Sequence, residues 1–151
     1  MALYYEDFGV GREYLTASRT VSEADVRAFA ALSGDANPIH LDRAVAALTP
    51  FGEPVAHGAL GLAVAAGLVS GLELTRGTLV ALVGASWRFL DAVRYGDSVT
   101  ARLRIATKRE TRARDRGLVT FAVELVNQRG EVVQAGELVE LVRRRAPLTA
   151  G

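Results

Sequence analysis

Thirteen consecutive residues, Gly58 to Ser70, read GALGLAVAAGLVS and carry no charge. Ala59, Leu60, Leu62, Ala63, Val64, Ala65, Ala66, Leu68 and Val69 spread around every side of a 3.6-residue period, so a helix here has no polar face to offer water. The run falls short of the roughly 18 residues that span a bilayer. It therefore predicts a helix buried in protein, and the rest of the chain must supply the layer that wraps it.

That layer is legible downstream. Thr78 to Phe89, Ser98 to Arg109, Leu118 to Asn127 and Glu131 to Val142 are strand-like runs, separated by turn formers such as Tyr95-Gly96-Asp97 and Gln128-Arg129-Gly130. Val99, Ala101, Leu103 and Ile105 alternate with Arg102 and Arg104, and Val119, Phe121, Val123 and Leu125 repeat the two-residue period, so each run predicts one buried face. Four in succession predict an antiparallel meander. Upstream, Glu13 to Val21 predicts another strand. Ser22 then caps a helix with Glu23 and Asp25 in its first turn, an apolar face at Val26, Phe29 and Ala30, and a stop at Gly34. Between Gly34 and Pro54, the residues Pro38, Pro50, Gly52 and Pro54 leave room only for a short helix from about Asp42 to Leu48, with Asp42 as its N-cap. The fold class is α+β, an antiparallel β-sheet wrapped around a central apolar α-helix. It forms a single domain over residues 1–151, with a flexible tail from about residue 143 onward.

Charge and composition narrow the function. Eighteen basic against seventeen acidic residues leave a net charge of +1, which argues against nucleic acid or an acidic membrane as partner. Zero cysteines remove thiol nucleophiles, iron–sulfur clusters and zinc–thiolate sites, and two histidines without a matching ligand set predict no metal. The opening MALYYEDFGVGREY lacks the basic and apolar regions of a signal peptide, so a cytoplasmic location is expected. A sheet this long on a chain this small leaves edge strands to protect, and pairing identical edges across a two-fold axis predicts at least a homodimer.

Both histidines, His40 and His57, lie in or beside the Pro/Gly-rich segment that precedes the apolar helix. Asp35 and His40 are separated by the turn that Asn37-Pro38 enforces, which can bring a carboxylate and an imidazole together, the minimum for moving water on or off a substrate near neutral pH. The same residues also fit a purely structural role: Asp35 in an Asx-turn, Asn37 bonded to its own backbone, His40 a satisfied histidine. Gly58 stands where the apolar helix begins, so its N–H is placed to polarise a carbonyl, or its missing side chain serves only close packing. For His57 a local structural role is favoured. Ser33, Ser70, Ser86 and Ser98 lack a nucleophile elbow.

Phe29, then Leu32-Ser33-Gly34-Asp35-Ala36-Asn37-Pro38-Ile39-His40, then Ala46, resembles the signature of R-specific enoyl-CoA hydratases in the MaoC-like dehydratase family, and Val55-Ala56-His57-Gly58 resembles that family's second block. The similarity runs from about Phe8 through the last strand. It implies a hot-dog fold, used as a homodimer or higher homo-oligomer, and reversible addition of water across a trans-2-enoyl thioester. Asp35 and His40 would be catalytic: Asp35 the base toward water, His40 orienting that water and shuttling a proton to the α-carbon. Gly58 and Asn37 would form the oxyanion and substrate-binding part, the Gly58 N–H stabilising the enolate-like oxygen and Asn37 shaping the site. No cofactor is implied beyond the coenzyme A or acyl-carrier thioester that belongs to the substrate. Where some members place a serine on the central helix, this chain has Ala66. The alternatives are a hot-dog acyl-CoA thioesterase, which aims water at the thioester carbonyl, and a noncatalytic acyl-thioester binding subunit.

Overall fold

A computed structural model describes residues 1–145. After a short 3-10 turn at Tyr5–Asp7, the order is β1 (Glu13–Thr20), α1 (Glu23–Ser33), α2 (Pro38–Leu41), α3 (Arg43–Ala46), α4 (Gly58–Ser70), β2 (Leu79–Phe89), β3 (Ser98–Glu110), β4 (Arg116–Asn127) and β5 (Val132–Arg143). The strands form one five-stranded antiparallel sheet in the order β1-β3-β4-β5-β2. The alternation read from sequence sets the faces: Val99, Ala101, Leu103 and Ile105 on β3, and Val119, Phe121, Val123 and Leu125 on β4, are buried against α4 and its neighbours.

The meander expectation holds only for β3, β4 and β5. β2 lies at the far edge beside β5, and β1 takes the place next to β3 that a meander would give to β2. The 90–97 connection is a crossover rather than a hairpin: Val93 receives a hydrogen bond from the Ala56 N–H, and Arg94 bridges Val55, so it braces the entry to α4. A turn former between two strands permits either path, and long-range pairing decides.

α1 follows its signals closely. Ser22 and Asp25 make a reciprocal capping box, and Gly34, with φ of 80°, closes the helix in a left-handed conformation. The single short helix expected from Asp42 to Leu48 is instead two helical turns. Asp42 caps the second through the Ala44 and Val45 N–H groups, as anticipated. The first was missed although its signals were present: Asn37 accepts from the Ile39 N–H and Pro38 occupies the first helical position.

α4 departs from full enclosure. Leu60, Gly61, Val64, Ala65 and Val69 are buried, whereas Ala59, Ala63, Gly67 and Ser70 form an open stripe on the other side. Small side chains make that exposure inexpensive, which is why the all-round apolar reading did not distinguish the two faces. Glu140 is the one acid on the inward register of β5; burial pushes its carboxyl up, with Thr75 pulling the other way. Residues 143–145 of the expected flexible tail are held in place. Arg143 ends β5, Arg144 pairs with Glu6 and Glu110, and Arg145 pairs with Asp7. The rest of that expectation, residues 146–151, lies outside the described residues.

Candidate active site

Three elements converge at the start of α4. The loop after α1 carries Asp35, α2 carries His40, and His57 and Gly58 are the N-cap and first residue of α4. The two oxygens of the Asp35 carboxylate have different surroundings: Oδ1 accepts from the Asn37 N–H at 3.2 Å, as expected of an Asx-turn, and Oδ2 faces His40 Nε2 at 3.9 Å. Both hold at once. A separation of 3.9 Å is too long for a direct hydrogen bond and suits two groups that act on one small molecule between them.

His40 is buried, and its Nδ1 lies 2.8 Å from the Val55 carbonyl oxygen. A carbonyl only accepts, so Nδ1 carries a proton and the ring turns Nε2 toward Asp35. The Tyr95 hydroxyl donates to the His40 carbonyl and fixes the backbone beneath the ring. Burial, with the Glu23 charge adding to it, pushes the Tyr95 hydroxyl up and keeps it a donor. Asp35 in contrast has a side chain about half exposed, at 53 %. The pair thus joins a locked, buried imidazole to a carboxylate open to solvent.

Asn37 is exposed and uses its side-chain oxygen to cap α2. Its contribution in this chain is to shape the turn that delivers His40. Gly58 opens α4, so its N–H belongs to the set that a helix leaves unpaired internally. Its other face is closed: a Cβ there would stand 2.8 Å from the Phe89 ring. The Gly58 carbonyl is held by Gln134 Nε2 at 3.1 Å, and Gln134 Oε1 accepts from the Trp87 indole N–H at 2.8 Å. Gln134 is buried, and a Cβ at Gly61 would collide with its amide. Sequence reading missed this Trp87–Gln134–Gly58 brace. The available signal was a carboxamide on the inward register of a strand whose other inward residues include Leu138 and Val142.

His57 is the second residue that sequence reading underplayed. Its ring stacks on His40 with centroids 3.8 Å apart, and its Nε2 lies 2.8 Å from the Asp35 carbonyl oxygen. Ligand atoms of Asp35, His40 and His57 all lie within 4.8 Å of one another, making them the group among the described residues that could hold a metal ion. Two of their four imidazole nitrogens already face main-chain carbonyls, which leaves a sparse donor set. Two nearby arginines have partners: Arg43 pairs with Glu23 and Arg94 with Glu53. Ala66, where the resemblance led to the expectation of a serine in some members, is a half-buried residue of α4 and offers no hydrogen bond from its side chain.

The antiparallel sheet curved around one apolar helix is a hot-dog fold, and an Asp and a His face each other at the N-terminus of that helix. Residues 7–127 match the MaoC like domain, and the chain belongs to the MaoC-like dehydratase family. Among its relatives, the (R)-specific enoyl-CoA hydratase of Aeromonas caviae is 37% identical over 122 residues, covering 81% of this chain and 87% of that protein. The 3-hydroxybutyryl-CoA dehydratase of Methylorubrum extorquens is 36% identical over 145 residues, covering 95% and 86%. The structure of a monoamine oxidase regulatory protein from Archaeoglobus superposes with a TM-score of 0.90 at 34% identity, covering 96% of this chain and 97% of that one.

Proposed function

We propose that this protein is an R-specific enoyl-CoA hydratase, adding water reversibly across a trans-2-enoyl thioester. The observation that carries the reading is the facing of Asp35 Oδ2 and His40 Nε2 across 3.9 Å at the N-terminus of α4, in a chain similar to hydratases and dehydratases over most of its length. With the thioester oxygen at the Gly58 N–H, the α- and β-carbons lie toward the pair. The water oxygen bonds to the β-carbon as Asp35 takes a water proton. The displaced π electrons move onto the α-carbon and thioester oxygen, where the Gly58 N–H stabilises the negative charge. His40 orients the water and, through Nε2, passes the proton from Asp35 to the α-carbon. Hydrogen and hydroxyl are both added, the pair returns to its starting charge, and dehydration is the same path reversed.

The substrate is a coenzyme A or acyl-carrier thioester, and the reading requires no cofactor. A thioesterase would direct water at the thioester carbonyl, and a Gly58 N–H on its oxygen would serve that attack as well; it is the pairing of Asp35 with His40 that favours the β-carbon. Loss of the enoyl absorbance of crotonyl-CoA without free thiol is the expected result, and thiol release would move the reaction to the thioester carbonyl.

The working protein in this reading is a homodimer in the cytoplasm. Among the described residues no helix is long and apolar enough to cross a membrane. β2 supports pairing between copies: it is an eleven-residue edge strand whose Leu82 and Val83 are each 53 % exposed, and the open stripe of α4 adds to the uncovered surface. Light scattering at micromolar concentration should give at least twice the 16.1 kDa chain mass. A stable monomer would contradict the assembly.

A further inference from the structure

We propose that His57 is a positioning residue for hydration, holding Asp35 and His40 in fixed relation to the Gly58 N–H. The inference rests on the hydratase reading and extends it to a side chain with no part in the proton steps above. His57 immediately precedes Gly58, and it is buried with 2 % exposure. Its side chain makes no capping bond to α4. Instead Nε2 reaches back 22 residues to the Asp35 carbonyl at 2.8 Å, and the ring lies between His40, with centroids at 3.8 Å, and Phe29, with centroids at 5.0 Å. One side chain therefore touches the main chain of one member of the pair and the ring of the other, from the residue next to the oxyanion donor.

The chemistry of the contact fixes the ring. A carbonyl accepts only, so His57 carries its proton on Nε2, opposite to His40, which carries its proton on Nδ1. His57 Nδ1 is buried without a hydrogen-bond partner among the described residues. An unpaired buried acceptor is costly, and it is retained here because turning the ring to satisfy it would release Asp35. Asp35 needs such an anchor. Its carboxylate is half exposed and, among the described residues, bonds only to the N–H of its own turn, so the loop must be held from outside if Oδ2 is to stay opposite His40.

Two substitutions separate the contacts. His57→Phe keeps a flat ring against His40 and removes the donor to Asp35. His57→Gln keeps an amide donor within reach of the Asp35 carbonyl and removes the stacked ring. His57→Phe is expected to lower kcat for crotonyl-CoA roughly 10- to 100-fold with KM little changed, and His57→Gln to recover most of that loss. The outcome that overturns the proposal is a folded His57→Phe protein with kcat within about twofold of the parent, or equal loss in both variants tracking their melting temperatures, which marks a structural role alone. A second readout is independent of turnover and of either variant folding. The chain has two histidines, so a long-range proton–nitrogen spectrum of the parent protein should show one ring protonated on Nδ1 and one on Nε2. Two Nδ1-protonated rings would remove the Asp35 contact and the proposal with it. If the parent hydrates no enoyl thioester, the hydratase reading fails on that result, while the spectrum still judges the His57 contact.

Discussion

Asp35→Asn is expected to lower turnover of an enoyl thioester by roughly 10²- to 10⁴-fold while the protein stays folded and KM stays near that of the parent. The substitution is nearly isosteric. An amide oxygen can still accept from the Asn37 N–H at the Oδ1 position, so the turn that shapes the loop survives. What changes is the second atom. An amide nitrogen standing 3.9 Å from His40 Nε2 has no lone pair with which to take the proton that the carboxylate takes from water. His40→Ala should cost a similar amount for a different reason: it removes the nitrogen and also leaves the buried Val55 carbonyl and the His57 ring without their partner. Because the two groups act on one water, the double variant should be little slower than either single one. Steady-state kinetics on crotonyl-CoA measure all three. An Asp35→Asn protein within tenfold of the parent would reduce Asp35 to its Asx-turn.

The largest effect on stability is expected at Gly136, on the inward register of β5. A Cβ there would lie 2.0 Å from the Ser86 carbonyl oxygen and 2.6 Å from the Trp87 ring. The nearest of these atoms is backbone, so no rotamer change relieves the overlap, and Gly136→Ala must push β2 away from β5. That breaks the pairing of Trp87 with Gly136 and strains the hydrogen bond from Trp87 to Gln134 two residues along. A loss of about 3 kcal/mol or more is expected, together with weakened activity, because Gln134 also holds the Gly58 carbonyl. Gly67 on α4 is the control: a Cβ there meets nothing within 4 Å, and Gly67→Ala should stabilise the chain by about 0.5–1 kcal/mol through helix propensity. Urea unfolding of the three proteins, followed through the single tryptophan, reads both shifts. Equal midpoints for Gly136→Ala and the parent would refute the close packing of β2 on β5.

How far the sequence revealed this arrangement depended on whether the signal was local. The faces of β3 and β4, the Ser22 capping box and the Gly34 stop are set by neighbouring residues and follow their patterns closely. The Asp35-to-His40 turn was legible for the same reason, since both residues sit within one loop and one helical turn. The strand order was not: Tyr95-Gly96-Asp97 is equally good chemistry for a hairpin and for the start of β3 after a crossover, and only the pairing of β1 with β3 settles it. His57 and Gln134 were hidden in a similar way. Each acts on a residue far along the chain, Asp35 and Gly58 respectively, and nothing in the residues beside them announces that contact.

The central claim is that this site directs water to the β-carbon of an enoyl thioester. The most direct measurement is mass spectrometry of crotonyl-CoA after incubation with the protein in oxygen-18 water. The expected product is R-3-hydroxybutyryl-CoA with its thioester intact and the heavy oxygen in the hydroxyl at the β-carbon. Heavy oxygen in the carboxylate of released crotonate would contradict the claim and place the attack at the thioester carbonyl, and unlabelled substrate would leave the protein a binder of acyl thioesters rather than a hydratase.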